Sequence, residues 1–330
     1  MVLKQLNSPE HYPVLKEAGL ARFQPPLIAQ IGIFILIFIA AQIIAAIPTT
    51  IAMIPAMMKE LIPAMENGGA SLNLTTEEII GSLGNGVMLI SLFSTAALIL
   101  LSFIYCRLIE KRSFSSMGFC RQKPAAHYLS GLAAGALLFA VTVLICLLFG
   151  AVSIETAGYI SIGYIVLFFL AFLVQGMSEE VLCRGYFLVS LTNRNSVLLA
   201  VVMNSLLFSL LHFFNPNVTF LALFNIFLFG AFCSLYMLFF NNIWGVCALH
   251  SAWNFVQGNI FGSNVSGMAF GSSLLTMSPR TGYDWLSGGT FGIEGGIAMT
   301  IVLVAGIILF LSLLLKRITR NGSKTGISSF

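Results

Sequence analysis

Charge is what this sequence has least of. Of its 330 residues only 8% are Asp, Glu, Lys or Arg, where a soluble globular domain carries roughly 25%. From Asn195 to Pro279 there is none at all. With 58% hydrophobic residues, 29 Phe and a mean hydropathy of +0.96, the composition excludes a soluble fold and points to a polytopic membrane protein. Cysteine pairs are missing too. The six cysteines, 106, 120, 146, 183, 233 and 247, sit in apolar segments or beside their ends without CxxC spacing, which excludes a disulfide framework and a Cys-based zinc site. No HExxH is present. The two halves share no motif, against the repeated halves of many transporters. The formal net charge of +4 forms no nucleic-acid patch and follows membrane topology instead.

What is present is a series of apolar runs. A helix needs roughly 20 such residues to cross a bilayer, and runs of that kind lie near 27–51, 85–106, 128–150, 162–190, 197–213, 218–240, 243–262 and 297–315. They predict an all-α membrane helix bundle of about eight transmembrane helices. The first 26 residues are mixed in charge and precede an apolar stretch longer than a signal-peptide core, so the first span is read as retained. Lys and Arg favour cytoplasmic loops. They lie in the N-terminal arm (Lys4, Lys16, Arg22), after the second span (Arg107, Lys111, Arg112, Arg121, Lys123) and in the tail (Lys316, Arg317, Arg320, Lys324). The loop after the first span instead holds Glu60, Glu66, Glu77 and Glu78 against Lys59. Both termini are therefore expected in the cytoplasm, with the chain in the cell membrane. The long outer loops, 52–84 and 263–296, are read as solvated connectors, with caps or lids as the alternative.

Three polar clusters interrupt the apolar runs. In "GMSEEVLCRG" Glu180 and Arg184 are four apart on one helical face and can neutralise each other. Glu179 points about 100° away; with Gln175 and Cys183 as its i−4 and i+4 neighbours, it is expected to find solvent or a residue of another helix. "NSLLFSLLHFF" sets Asn204, Phe208 and His212 on one stripe, and "WGVCALHSAWNF" sets His250 and Asn254 four apart. His11 and His127 lie at span edges and are read as structural. Taking the turn between the fourth and fifth spans at 192–196, Glu179 and His212 both fall roughly 20 to 24 Å from it. His250 and Asn254 come roughly 12 to 20 Å after Asn241 and Asn242, so all four can meet in one layer. Ionisable groups at such depth point to function.

The chemistry suits hydrolysis. Glu179 serves as general base for a water that His212 shares, while His250 and Asn254 can donate to the oxyanion of a tetrahedral intermediate. Glu179, His212 and His250 can instead hold Zn2+ as one Glu and two His ligands.

"EEVLCR", "FSLLH" and "HSAWN", read as EExxxR, FxxxH and HxxxN in that order on three separate spans, resemble the CAAX protease and bacteriocin-processing (CPBP, Abi) family of intramembrane endopeptidases, to which the Ras converting enzyme belongs. The resemblance covers about residues 160–260. It implies that Glu179 activates water with help from His212, that Glu180 and Arg184 form the supporting ion pair, and that His250 and Asn254 make the oxyanion hole. It leaves the metal open, since the family has been described both as metalloprotease and as glutamate-dependent protease. The implied partners are the lipid bilayer and a peptide or protein substrate, lipidated in eukaryotic members. The expected layout is a cytoplasmic arm (1–26), N-terminal helices and loops (27–160), a catalytic core (161–262), and an outer loop, last helix and tail (263–330). Two other readings stay open: an immunity or scaffold protein of the same fold, and an ion- or proton-coupled transporter.

Overall fold

The apolar runs become helices. In the computed structural model, which describes residues 6–66 and 84–325, they are α1 (Leu27–Glu66), α2 (Asn85–Ile109), α3 (Pro124–Leu148), α4 (Ile162–Leu191), α5 (Val197–Leu210), α6 (Phe220–Phe240), α7 (Ile243–Phe255) and α8 (Ile297–Thr325). The chain is an all-α polytopic membrane bundle. Among the described residues six of the eight helices are long and apolar enough to cross a membrane; α5 and α7 are not. At ~1.5 Å per residue α5 spans only roughly 21 Å, short of a ~30 Å hydrocarbon core. The expectation of about eight spans becomes six helices of spanning length and two shorter apolar ones among the described residues.

The helix ends fall where side chains can cap them. Asn241 takes a left-handed conformation (φ 50°) to close α6, and Asn242 opens α7 by accepting from the Trp244 amide at 2.8 Å. Ser196 caps α5 by accepting from the Leu199 amide at 3.2 Å, at the turn expected for 192–196. One boundary differs: α1 continues to Glu66, so residues 52–66 are helical. Residues 67–83, with Glu77 and Glu78, lie outside the described residues.

Burial sorts the helices into an inner and an outer set. The most apolar window of α6 is 72% buried, that of α1 only 22%, so α6 is central and α1 faces lipid with Ile28, Leu36, Ile43 and Ile47 exposed. In α7 every residue from Gly245 to Asn254 is buried. A helix wrapped by protein need not be apolar, which is how α7 carries His250, Asn254 and, in the π-wound turn that follows, Gln257 and Asn259. The α3 helix approaches it through Gly131 and Gly135, where a side chain would strike the backbone of Gly245 and Leu249.

Two polar devices tie the ends of the bundle. On the side where α2 and α4 end, Arg112 is buried and ion-paired to Glu110, and both bond Ser190. A residue counted in the sequence as a loop cation is thus an internal clamp. On the opposite side β1 (Val152–Thr156) pairs antiparallel with β2 (Leu275–Pro279), Val152 facing Pro279 and Thr156 facing Leu275. Residues 263–296 are therefore no solvated connector. Short turns over Asp284–Ser287, Gly289–Phe291 and Ile293–Gly295 bury Leu286, Phe291, Ile293 and Glu294, because buried apolar side chains pin the loop and its glycines supply the turns.

Candidate active site

Helix α4 changes winding where its charges lie. It is α-helical to Glu180 and π-wound from Val181 to Leu188, a local form that recurs at functional sites. The α4 and α7 helices touch at Gly176, where an added Cβ would lie 2.6 Å from the Ser251 amide nitrogen. Only glycine permits this approach, and it brings the two glutamates to His250.

Glu180 is fully buried and its Oε1 serves two partners. It accepts from Arg184 Nη1 at 2.9 Å and from His250 Nδ1 at 2.8 Å. Arg184, itself fully buried, also donates to the Gly230 carbonyl at 3.1 Å and stacks over the Phe208 ring at 4.6 Å. The expected i, i+4 pair is present, and the contact with His250 is an addition that spacing within one helix does not show.

Glu179 is held by a residue of its own helix. Gln175 Nε2 donates to Glu179 Oε1 at 2.7 Å, while Gln175 Oε1 accepts from Asn254 Nδ2 at 2.8 Å. This corrects the expectation that Glu179 finds its partner only in solvent or on another helix. Its Oε2 is buried without a hydrogen-bond partner and lies 3.6 Å from His250 Nε2.

His212 follows α5 by two residues, in a turn whose amide bonds the Ser209 carbonyl at 3.0 Å. Its Nδ1 lies 2.8 Å from the Phe208 carbonyl. A carbonyl only accepts, so Nδ1 carries the proton and Nε2 is left as an acceptor. The same logic at His250, with a carboxylate on Nδ1, leaves Nε2 an acceptor when the ring is neutral and a donor when it is protonated. Asn204, on the same stripe as His212, is not part of this group; it donates to Ser234 on α6 at 3.1 Å.

Glu179, His212, His250 and Asn254 line one cavity of about 390 Å³, which α1 and α2 wall with Phe38, Gln42, Thr49, Ser91 and Thr95. A second space of about 20 Å³, room for roughly one water, adjoins it and is shared by His212, His250, Asn254, Ser266 and Glu294. Glu294 was missed by motif reading. It comes from the Gly-rich loop before α8, and its carboxylate accepts from the Ser266 amide. Burial pushes its carboxyl from the ordinary 4.5 up to about 7, with hydrogen bonds from Ser266 and Gln257 and the nearby His250 acting in the opposite direction. Asn225 fastens the loop to α6, donating to the Glu294 and Gly296 carbonyls at 2.8 Å each and accepting from Thr300 at 2.6 Å. An uncharged amide inside the apolar run of α6 was the one signal for this anchor.

The same donors bear on zinc. Among the described residues no group of three or more His, Cys, Asp or Glu is gathered so as to hold a metal ion. The Nδ1 bonds of His250 to Glu180 and of His212 to a backbone carbonyl leave each Nε2 free to ligate, so it is the spacing of Glu179, His212 and His250, not their hydrogen bonding, that does not fit a zinc centre as placed.

Residues 161–256 match the family model described as Rce1-like, type II CAAX prenyl endopeptidase Rce1-like. No curated protein and no solved structure matches the chain.

Proposed function

We propose that this membrane chain, whose residues 161–256 match the model of the Rce1-like protease family, is an intramembrane endopeptidase that cleaves membrane-associated or lipidated peptide and protein substrates with a water activated by Glu179 and His212. The observation that carries this reading is the buried Oε2 of Glu179, which has no hydrogen-bond partner, in a cavity that also presents His212, His250 and Asn254.

In the proposed reaction Glu179 Oε2 takes a proton from the water, and His212 Nε2, free to accept, orients it. The oxygen adds to the scissile carbonyl, and the developing oxyanion is met by Asn254 and by His250 in its protonated form. Glu180 positions His250 through Nδ1 and shares its single negative charge between that ring and Arg184, while Glu179 Oε2 is the second carboxylate oxygen beside the imidazole, 3.6 Å from Nε2. Collapse of the intermediate breaks the C–N bond, and the proton held by Glu179 passes to the leaving amine. No step calls on a metal. The substrate is met between α1, α2 and α4, where apolar walls carrying Gln42, Ser91 and Thr95 suit a peptide segment that comes from the bilayer. With the basic arm and tail on the cytoplasmic side, both termini face the cytoplasm.

The test is cleavage of a farnesylated C-terminal CAAX peptide, beside its unlipidated form, by the purified chain in liposomes. Product from the wild type and none from Glu179→Gln, which should retain the peptide, supports the reading. Absence of any cleavage together with proton or ion flux in the same liposomes would replace it with the transporter reading.

A further inference from the structure

On the side of the bundle where α2, α6 and α8 end there is a second large cavity, of about 890 Å³, remote in sequence from the three motifs. Its polar lining is basic. Arg107 comes from the last turn of α2, Arg121 from the following loop, His127 from the first turns of α3 and Arg317 from α8, with Glu17 the one acidic lining residue among the described residues. Glu17 is engaged with the Ser113 hydroxyl at 3.4 Å. Among the described residues none of the three guanidiniums makes an ion pair. Arg317 is fixed by donating to the Phe239 carbonyl at 2.6 Å, and Arg107 donates to the Arg112 carbonyl at 3.4 Å. The apolar share of the wall comes from Val14, Phe119 and Phe240.

Membrane topology alone asks only that cations lie on one side of the bilayer. It does not gather three arginines from widely separated segments around one hollow with a single carboxylate, Glu17, beside them. A planar guanidinium matches the oxygens of a phosphate, and basic pockets at the ends of membrane helices sit at the depth of lipid headgroups. We infer that this cavity is a binding site for a phosphate-bearing anion, supplied by the headgroup of an anionic lipid. The aromatic and aliphatic wall then accommodates the glycerol backbone beside the phosphate. The inference is independent of the proposed peptidase activity.

The experiment uses the purified full-length chain in phosphatidylcholine nanodiscs with increasing phosphatidylglycerol, read by thermal unfolding, and in a parallel arm with sn-glycerol 1-phosphate added to phosphatidylcholine alone. Arg121→Gln and Arg107→Gln/Arg121→Gln are compared with Lys16→Gln/Lys316→Gln, which removes two cations outside the cavity lining. The expected result is a saturable rise in unfolding temperature with phosphatidylglycerol in the wild type and the lysine variant. Its midpoint should move roughly tenfold or more to higher lipid fraction in the double arginine variant, and by less in Arg121→Gln. A matching response to glycerol phosphate, lost in the same arginine variants, would uphold the site and assign the phosphate to a soluble ligand. The inference is overturned if neither anion stabilises the wild type, or if the lysine and arginine variants lose the response equally.

Discussion

Replacing Glu180 by Gln removes one charge from an oxygen that serves both Arg184 and His250. Both members of the Glu180–Arg184 pair have fully buried side chains 2.9 Å apart, so the variant leaves a buried guanidinium without its counter-ion. Breaking such a pair from one side costs about 3 to 5 kcal/mol, which for a chain of this size lowers the unfolding temperature on the order of 10 °C. Cleavage should fall as well, because His250 loses the carboxylate that sets its tautomer and supports its charge; loss of the analogous partner in a catalytic triad costs about 10⁴-fold. The two effects can be separated. In Glu180→Leu/Arg184→Met both charges are gone, and an apolar pair of similar volume is often as stable as the buried ion pair. Thermal unfolding of that double variant should return close to the wild-type value while cleavage of the lipidated peptide stays at least roughly 10²-fold down. The measurements are unfolding in detergent and product formation on the same preparations. If Glu180→Gln unfolds at the wild-type temperature, the pair does not hold the bundle; if the double variant regains full activity, Glu180 does not act through His250.

Glu179→Ala should abolish cleavage without moving the unfolding temperature by more than a few degrees, and retained cleavage would sink the proposed chemistry. His212→Ala should be nearly as severe and Asn254→Ala milder, since general-base catalysis contributes about 10² to 10⁴-fold and one oxyanion donor about 10² to 10³-fold. Chelator treatment of the active protein should leave the rate unchanged, with metal analysis finding no stoichiometric zinc; activity lost to chelator and restored by zinc would require a different arrangement of Glu179, His212 and His250. Glu294 gives a pH signature, because its folded carboxyl, raised to about 7, binds a proton more tightly than the ordinary 4.5 of the unfolded chain. Its contribution is most favourable below pH 4.5 and is lost as pH rises through 7, by roughly 3 kcal/mol. Glu294→Gln should flatten that part of the stability profile, and an unchanged profile would show that Glu294 is ionised without penalty.

The amino-acid sequence by itself determined the helical membrane class, the positions of the apolar segments and the order of the polar motifs. Each of these follows from local rules: hydrophobic length, the 3.6-residue period that puts Glu180 over Arg184, and turn residues such as Asn241 and Asn242. Their convergence in depth was legible as well, because a helix rises by a fixed increment per residue and the turns could be located. Tertiary structure alone decided what each group faces. Glu180 meets His250 only because Gly176 lets α4 and α7 approach, a contact between helices separated by 70 residues of chain. Gln175 bridges Glu179 to Asn254 for the same reason, with one amide serving two helices. Glu294 joins the site through a loop pinned by Asn225 and buried apolar side chains, and neither periodicity nor hydropathy registers such a link. The span count differs because the apolar runs at 197–213 and 243–262 extend beyond the regular helices within them: α5 has 14 residues and α7 13, too few to cross. The protein around α7 allows it to carry His250 and Asn254 inside the bundle.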